Sequence, residues 1–123
     1  MKLTIKNDQK KKDRIVAFIG GKVAGYIDYK YPNDLSGKRN LEIKFIRVYP
    51  VFRRQKIATS LLEFFIKKFS KKVVWFSFWS SRYIEEEKAY GAYLKLGFKQ
   101  AVYMADYYAD GIGVSYFTKR LDK

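Results

Sequence analysis

The spacing of the apolar residues changes its period near residue 57, and this change constrains the fold most. Residues 41–48 read LEIKFIRV and alternate between apolar and polar positions over much of their length, which is typical of a β-strand. Beyond Pro50 the period becomes helical, and one face of the predicted helix carries Ala58, Leu61, Leu62, Phe65 and Phe69. A strand that leads through a short turn into an amphipathic helix predicts an α/β arrangement.

The predicted strand has two faces. Simple alternation directs Leu41, Ile43 and Phe45 to one side of the sheet. The same alternation directs the other set of side chains to the opposite side, namely Glu42, Lys44, Ile46 and Val48.

The other segments complete a mixed sheet. KLTIKN at the start is a short first strand, and RIVAFIGGKVAGYIDYKY reads as a hairpin around Gly20 and Gly21. VVWFSFWS is a buried type of strand, residues 85–98 form a second helix that ends near Gly97, and two strands joined at Asp110 and Gly111 follow. Over residues 1–123 we predict a single α/β (α+β) domain. Its central sheet is mixed and mostly antiparallel, with about six to seven strands and two main helices.

Composition narrows the chemistry. The net charge is +14, from 26 Lys and Arg against 12 Asp and Glu. This excess attracts polyanions, although a solvated basic surface explains it equally well. Without cysteine or histidine, a thiol nucleophile, a Ser-His triad and the usual zinc ligands are excluded, so we expect no metal. No apolar run has membrane-spanning length and the start lacks a signal-peptide core, so we expect a soluble, cytoplasmic protein without membrane contact.

A basic turn precedes the first helix. Residues 43–62 contain no acid, and residues 53–59 place Arg53, Arg54 and Lys56 at the helix N-terminus. Unpaired backbone amides and the helix dipole stabilise an anion at such a position, and a pyrophosphate would fit. A solvated basic helix start is the alternative interpretation.

Two motifs, one at residues 48–62 and the other at residues 89–98, resemble motifs of the GNAT N-acetyltransferases and occur in the same order. VYPVFRRQKIATSLL (residues 48–62) is similar to the family's acetyl-CoA-binding motif, in which V-x-P leads to R/Q-x-x-G-x-G/A. Arg53 matches its first position and Ala58 its last. AYGAYLKLGF (residues 89–98) looks like the family's later helix, A-x-x-x-Y-x-K-L-G-F. The resemblance covers roughly residues 14–121 and implies a GNAT-like fold in which the first helices are missing or minimal.

The resemblance also implies roles for particular residues. The backbone of Ile46, Arg47 and Val48 would pair with the pantetheine arm of acetyl-CoA. The pyrophosphate would lie on the loop formed by Arg53, Arg54, Gln55, Lys56, Ile57, Ala58 and Thr59. Tyr93 would protonate the departing thiolate, although a plain core role is the alternative. Glu42 would accept the proton of the amine, either directly or through water, and a solvent-facing carboxylate is the alternative.

The sequence departs from the family pattern in three places. Lys56 replaces the expected glycine, which bears on the affinity for the cofactor. Glu86 stands where many members have an asparagine that contacts the cofactor, so that role is not transferred. The segment NDQKKKD replaces one or two helices that usually wall the acceptor site. The acceptor side should therefore be open, which suits a lysine or N-terminus on a protein or peptide. The excess positive charge favours an acceptor with an acidic surface.

Three alternatives remain open. A homodimer would close the acceptor side, and the C-terminal strands offer contact surface through Tyr103, Tyr107, Tyr108, Tyr116 and Phe117, although a plain core role is expected for about half of these five. A non-catalytic nucleic-acid-binding module would use the charge and stacking by Trp75, Trp79 and Tyr83, although a core role is favoured for these three. An acyl-CoA-binding protein without turnover is the third alternative.

Overall fold

The computed structural model describes residues 2–53, 56–81 and 90–121. Its strands are β1 (Leu3–Asn7), β2 (Arg14–Ile19), β3 (Lys22–Lys30), β4 (Asn40–Val48), β5 (Trp75–Ser81), β6 (Lys99–Ala109) and β7 (Ile112–Arg120). The helices are α1 (Ile57–Phe69) and α2 (Tyr90–Lys95), and Pro50–Phe52 forms a 3-10 turn. One seven-stranded sheet has the order β1-β2-β3-β4-β5-β7-β6. β4 and β5 pair in parallel and the other neighbours pair antiparallel, which confirms the predicted class.

Glycines with positive φ shape the turns that the sequence indicated. Gly20 and Gly21 join β2 to β3 with φ values of 57° and 78°. A two-residue hairpin turn of this kind needs positive φ at both positions, which glycine adopts at little steric cost. Gly97 has a φ of 93° just after α2, so the predicted left-handed end of the second helix is confirmed.

Both helices pack on the same face of the sheet. Phe65 of α1 lies 5.0 Å from Phe76 of β5, ring centroid to ring centroid, and Tyr93 of α2 lies 4.7 Å from Phe78 of the same strand. Because Phe76 and Phe78 are two residues apart on one strand, their side chains share a face. Within the described ranges no helix covers the opposite face, and none is long and apolar enough to cross a membrane.

A β-bulge in β4 reverses the sides of the sheet on which its later residues lie, contrary to the prediction. Asp28 pairs with Phe45 and the next residue of β3 pairs with Ile43, so Lys44 is an extra residue in β4. The bulge reverses the alternation beyond Lys44. Ile46 and Val48 therefore pack against the core together with Leu41 and Ile43, while Phe45 is 62% exposed. The prediction that Phe45 shares a face with Ile43, and that Ile46 and Val48 point away, is wrong.

The predicted core role of the tryptophans is also wrong in part. Trp79 is 48% exposed and lies on the face opposite the helices, where its ring contacts Tyr116 at 4.4 Å. Trp75 is partly buried under the guanidinium of Arg120. Tyr83 lies outside the described residues.

Candidate active site between two diverging strands

Strands β4 and β5 separate part of the way along their length. Asn40 to Ile43 pair with Trp75 to Phe78, and this is the whole extent of the parallel ladder in the described residues. Beyond it, β4 continues to Val48 paired with β3, while β5 continues to Ser81 paired with β7. A gap therefore opens beyond Ile43 and Phe78, and the edge of β4 that faces it carries backbone groups without a β5 partner. Such groups need a hydrogen-bonding partner from water or a ligand.

The N-terminus of α1 follows this gap in the chain. The first hydrogen bond into the helix runs from the Ser60 amide to the Lys56 carbonyl oxygen, 3.0 Å away. The amides of Ile57, Ala58 and Thr59 precede that bond. Among the described residues no side chain caps the helix, and its first turn contains no acid. The N-terminus of α1 therefore offers unpaired amides of the kind that stabilise an anion, and anion binding there stays a prediction.

Lys56 explains why this turn favours glycine. Its φ is 58° and its ψ is 29°, which is the left-handed conformation. A residue with a Cβ pays about 1 to 2 kcal/mol to adopt that conformation, whereas glycine adopts it readily. The lysine therefore preserves the path of the turn at a cost in stability, and it places an exposed side chain at the helix start.

Of the other predicted loop residues, the structure describes Arg53 but not Arg54 or Gln55. Arg53 lies between the 3-10 turn and α1, and its Nε is 3.4 Å from the carbonyl oxygen of Val48. This contact holds the basic side chain near the end of β4, beside the gap. Arg54 and Gln55 lie outside the described residues, as does Glu86.

Tyr93 is held at the point where the strands diverge. The residue is 7% exposed. The centroid of its ring lies 4.7 Å from that of Phe78 and 5.4 Å from that of Phe117. The amide of Phe98 donates a hydrogen bond of 3.1 Å to the Tyr93 carbonyl oxygen, which closes the end of α2. Since Phe78 is the last β5 residue in the parallel ladder, Tyr93 lies next to the start of the gap, on the helix face.

Glu42 reaches the same place from the other face. Its neighbours Leu41 and Ile43 are buried in the core, so the half-buried Glu42 side chain lies on the face without helices. In the ladder Glu42 is opposite Ser77, one position before the gap. The structure thus brings Glu42 and Tyr93 to one point of the sheet, on opposite faces.

Comparison with known proteins agrees with this geometry. The sequence model of the acetyltransferase (GNAT) family matches residues 2–98. The chain belongs to the GNAT family. No curated protein matches the sequence.

Solved structures share the GNAT fold at low identity. The ribosomal-protein-S18-alanine N-acetyltransferase from Escherichia coli is 18% identical with a TM-score of 0.76, covering 93% of this chain and 73% of that chain. A chain of the NatC complex bound to Gag peptide and CoA is 16% identical with a TM-score of 0.82, covering 99% and 100%. The yncA protein from Salmonella typhimurium with acetyl-CoA is 15% identical with a TM-score of 0.77, covering 89% and 65%.

Sequence reasoning missed Gly25, which lies next to the candidate site. It pairs with Val48, and a Cβ added to it would collide with the carbonyl oxygen of Arg47. Gly25 therefore lets β3 approach β4 closely along the edge opposite the gap. A glycine inside a strand pattern such as KVAGYIDYK is the signal that could have indicated this close approach.

Proposed function

We propose that this GNAT protein is an N-acetyltransferase that transfers the acetyl group of acetyl-CoA directly to a primary amine on a protein or peptide. The observation that supports it most is the position of the gap between β4 and β5, which opens where the uncapped N-terminus of α1 follows. The gap offers strand backbone to an extended amide-containing arm. The helix N-terminus offers amides to a diphosphate. Pantetheine and pyrophosphate are joined in this way in coenzyme A.

Each part of the site has a proposed binding role. The amides of Ile57, Ala58 and Thr59 would hold the pyrophosphate. The preceding turn would surround it with three basic residues, Arg53, Arg54 and Lys56, and with the neutral amide of Gln55. The backbone groups of Ile46, Arg47 and Val48 would pair with the pantetheine amides. Acetyl-CoA, when bound, supplies an activated thioester carbonyl carbon.

The absence of cysteine from the sequence favours direct transfer without an acetylated thiol of the protein. The amine nitrogen forms a bond to the acetyl carbon, and the bond from that carbon to sulfur breaks. Glu42 accepts the proton that the amine loses, directly or through water. Tyr93 donates its phenolic proton to the departing thiolate and is reprotonated from solvent. Because the two residues lie on opposite faces of the sheet, the amine would approach from one side while the thiolate leaves toward the other.

The exposed sheet face supports a large acceptor. β1 ends at Asn7 and β2 begins at Arg14, so a short connector stands between them. Within the described residues no helix covers the face that carries Glu42. Two structures of similar fold are compatible with a protein or peptide acceptor, since one is a ribosomal-protein-S18-alanine N-acetyltransferase and the other was solved with a Gag peptide. With a net charge of +14, this chain would favour an acceptor with an acidic surface.

A homodimer is a further way to close the acceptor side. The exposed tyrosines of β6 are Tyr103, Tyr107 and Tyr108, with exposed fractions of 45%, 60% and 56%. Phe117 is fully buried and so is not available for such a contact. Sedimentation equilibrium should then show a dimer that Tyr107→Ser weakens, and a monomer at all concentrations would exclude this arrangement.

Two measurements test the proposed function. Acetyl-CoA at about 100 times its dissociation constant should increase the free energy of unfolding by about 2.7 kcal/mol, whereas acetate should have no effect. Release of the CoA thiol should then be measured with peptides that present a free N-terminus or a lysine, and with small amines as the comparison. Absence of any stabilisation would refute cofactor binding. Stabilisation without thiol release for any amine would identify an acyl-CoA-binding protein without turnover.

A further inference from the structure

The side of β1 to β4 that faces away from α1 carries a cluster of aromatic and basic side chains. We call this side of the four strands the outer face. Ile15 and Ala17 of β2 belong to the core, so the alternate residues Arg14, Val16 and Phe18 lie on the outer face. The pairing of the strands places one residue each from β1, β3 and β4 in line with Val16 on the same face. Lys6 is opposite Val16, Tyr26 is opposite Val16 on the other side, and Arg47 is opposite Tyr26.

Cations and rings alternate across this face. The Lys6 Nζ lies 5.2 Å from the ring centroid of Phe18, and the guanidinium carbon of Arg14 lies 3.8 Å from that of Tyr26. The guanidinium carbon of Arg47 lies 5.0 Å from the ring centroid of Tyr49, the residue that follows β4. The rings of Tyr26 and Tyr49 are themselves 6.4 Å apart. In each of the three cation contacts the cation lies over the ring, so every ring is paired with a positive charge.

The outer face contains a cavity of about 380 Å³ lined by most of these residues, although not by Arg47. Its walls include the rings of Phe18, Tyr26 and Tyr49, the cations Lys6 and Lys10, and the acid Asp8. This volume lies within the range of small-ligand sites. The cavity has aromatic walls and basic residues around it, so it suits a flat, apolar group that is attached to an anion.

Three acids lie on or beside the outer face, and they are Asp28, Asp8 and Glu42. Asp28 accepts two hydrogen bonds from Arg14, at 2.6 and 2.9 Å, and a third from Lys11. Asp8 accepts a hydrogen bond from the Lys10 amide. Among the described residues no carboxylate forms a salt bridge with Lys6 or Arg47. The outer face keeps a net positive charge, because its cations outnumber these acids; the cations are Lys6, Lys10, Lys11, Arg14 and Arg47.

We propose that the outer face binds a single-stranded nucleic acid, with bases stacked on Phe18, Tyr26 and Tyr49 and phosphates beside Lys6, Lys10 and Arg47. Single strands present both a flat base and a phosphate at every nucleotide, which matches the alternation of rings and cations. A duplex hides its base faces, and a lipid bilayer has no flat group to fill the cavity. An acidic protein would satisfy the charges but leave the rings without stacking partners. The proposal goes beyond acetyl transfer and does not depend on it.

Fluorescence anisotropy with an end-labelled single-stranded RNA of about 12 nucleotides tests this proposal. If three or four phosphates are contacted, affinity should fall about 20- to 50-fold as salt rises from about 50 to about 200 mM. Lys6→Glu should weaken binding about tenfold or more. Lys71→Glu makes the same charge change at an exposed position after α1 and should weaken binding far less. Equal losses in these two variants would overturn the proposal, because they would indicate a general response to net charge.

A ring variant and two competitors complete the test. Phe18→Leu keeps an apolar side chain but removes the flat ring, so affinity should fall about five- to a hundredfold. Unchanged affinity in a folded Phe18→Leu variant would refute stacking. A duplex of equal length, or vesicles of phosphatidylglycerol, that bind as tightly as the single strand would also overturn the proposal. Stabilisation by acetyl-CoA should persist in Lys6→Glu and Phe18→Leu, so failure of RNA binding and failure of the acetyltransferase proposal are distinguishable.

Discussion

The ring of Tyr93 meets the ring of Phe78 edge to face, with centroids 4.7 Å apart and an interplanar angle of 66°. Phe78 is also the last residue of β5 that pairs with β4. One aromatic contact thus joins α2 to the point where the two strands separate. The position of the phenol in the candidate site is therefore determined by core packing, and that packing holds the side chain in place before any ligand binds.

Tyr93→Phe should separate chemistry from packing. The substitution keeps the ring against Phe78 and Phe117 and removes the proposed proton donor. Turnover should fall about a hundred- to ten-thousand-fold, while the stabilisation by acetyl-CoA remains. Steady-state release of the CoA thiol measures the first effect and thermal unfolding the second. Tyr108→Phe removes an exposed hydroxyl and serves as the control. Full activity in Tyr93→Phe would remove this residue from the mechanism.

Glu42→Gln should remove the proposed proton acceptor on the other face. We expect turnover near neutral pH to fall by a factor of about a hundred or more, with partial recovery as pH rises, because more of the acceptor amine is then neutral. The measurement is a pH profile of kcat and of kcat/KM. Glu63→Gln, on the exposed face of α1, is the matched control. A profile identical to that of the wild type would assign proton removal to water or another group.

Lys56→Gly and Lys56→Ala should differ in stability although both lose the same charge. Glycine relieves the left-handed conformation at φ 58°, whereas alanine retains its cost. After glycine's greater flexibility in the unfolded chain is taken into account, the glycine variant should be more stable than the alanine variant by about 0.5 to 1 kcal/mol. Urea unfolding measures the difference. Equal stability would show that the turn does not hold this conformation in solution.

Asp28 should make stability depend on pH in the acid range. Hydrogen bonds from Arg14, and secondarily from Lys11, lower the pKa of Asp28 against the opposing effect of burial. A carboxyl whose pKa is lower in the folded chain favours folding in its ionised form. Its contribution is therefore fully present above the pKa of the unfolded chain, and it is lost as pH falls through the lower pKa of the folded chain.

Asp28→Asn tests this dependence. At neutral pH the variant should lose about 3 kcal/mol, because Arg14 keeps a partly buried charge without its carboxylate partner. The difference from the wild type should shrink as pH falls through the acid range, as followed by urea unfolding. Asp110→Asn, in the exposed turn between β6 and β7, should match the wild type throughout. A constant difference at every pH would show that the ion pair does not titrate as described.

The local features of the fold could be predicted from the sequence because each depends on neighbouring residues. The hairpin at Gly20 and Gly21 follows from the conformational freedom of glycine, and α1 follows from its apolar spacing. The positions of the basic turn and of Tyr93 on a helix were likewise predictable from motifs a few residues long. The hairpin and α1 in particular could be predicted without knowing which strands pair.

The shape of the site was decided by tertiary structure. Periodicity does not show that β4 and β5 stop pairing after Ile43 and Phe78, because that ladder joins segments far apart in the chain. It also does not show the extra residue at Lys44, which reversed the faces of Phe45 and Ile46, since a bulge depends on the partner strand. The composition alone determined that thiol and histidine chemistry are absent. Long-range pairing placed Glu42 and Tyr93 on opposite faces of one gap, because alternation gives the relative sides of residues within a strand but not their position relative to other elements.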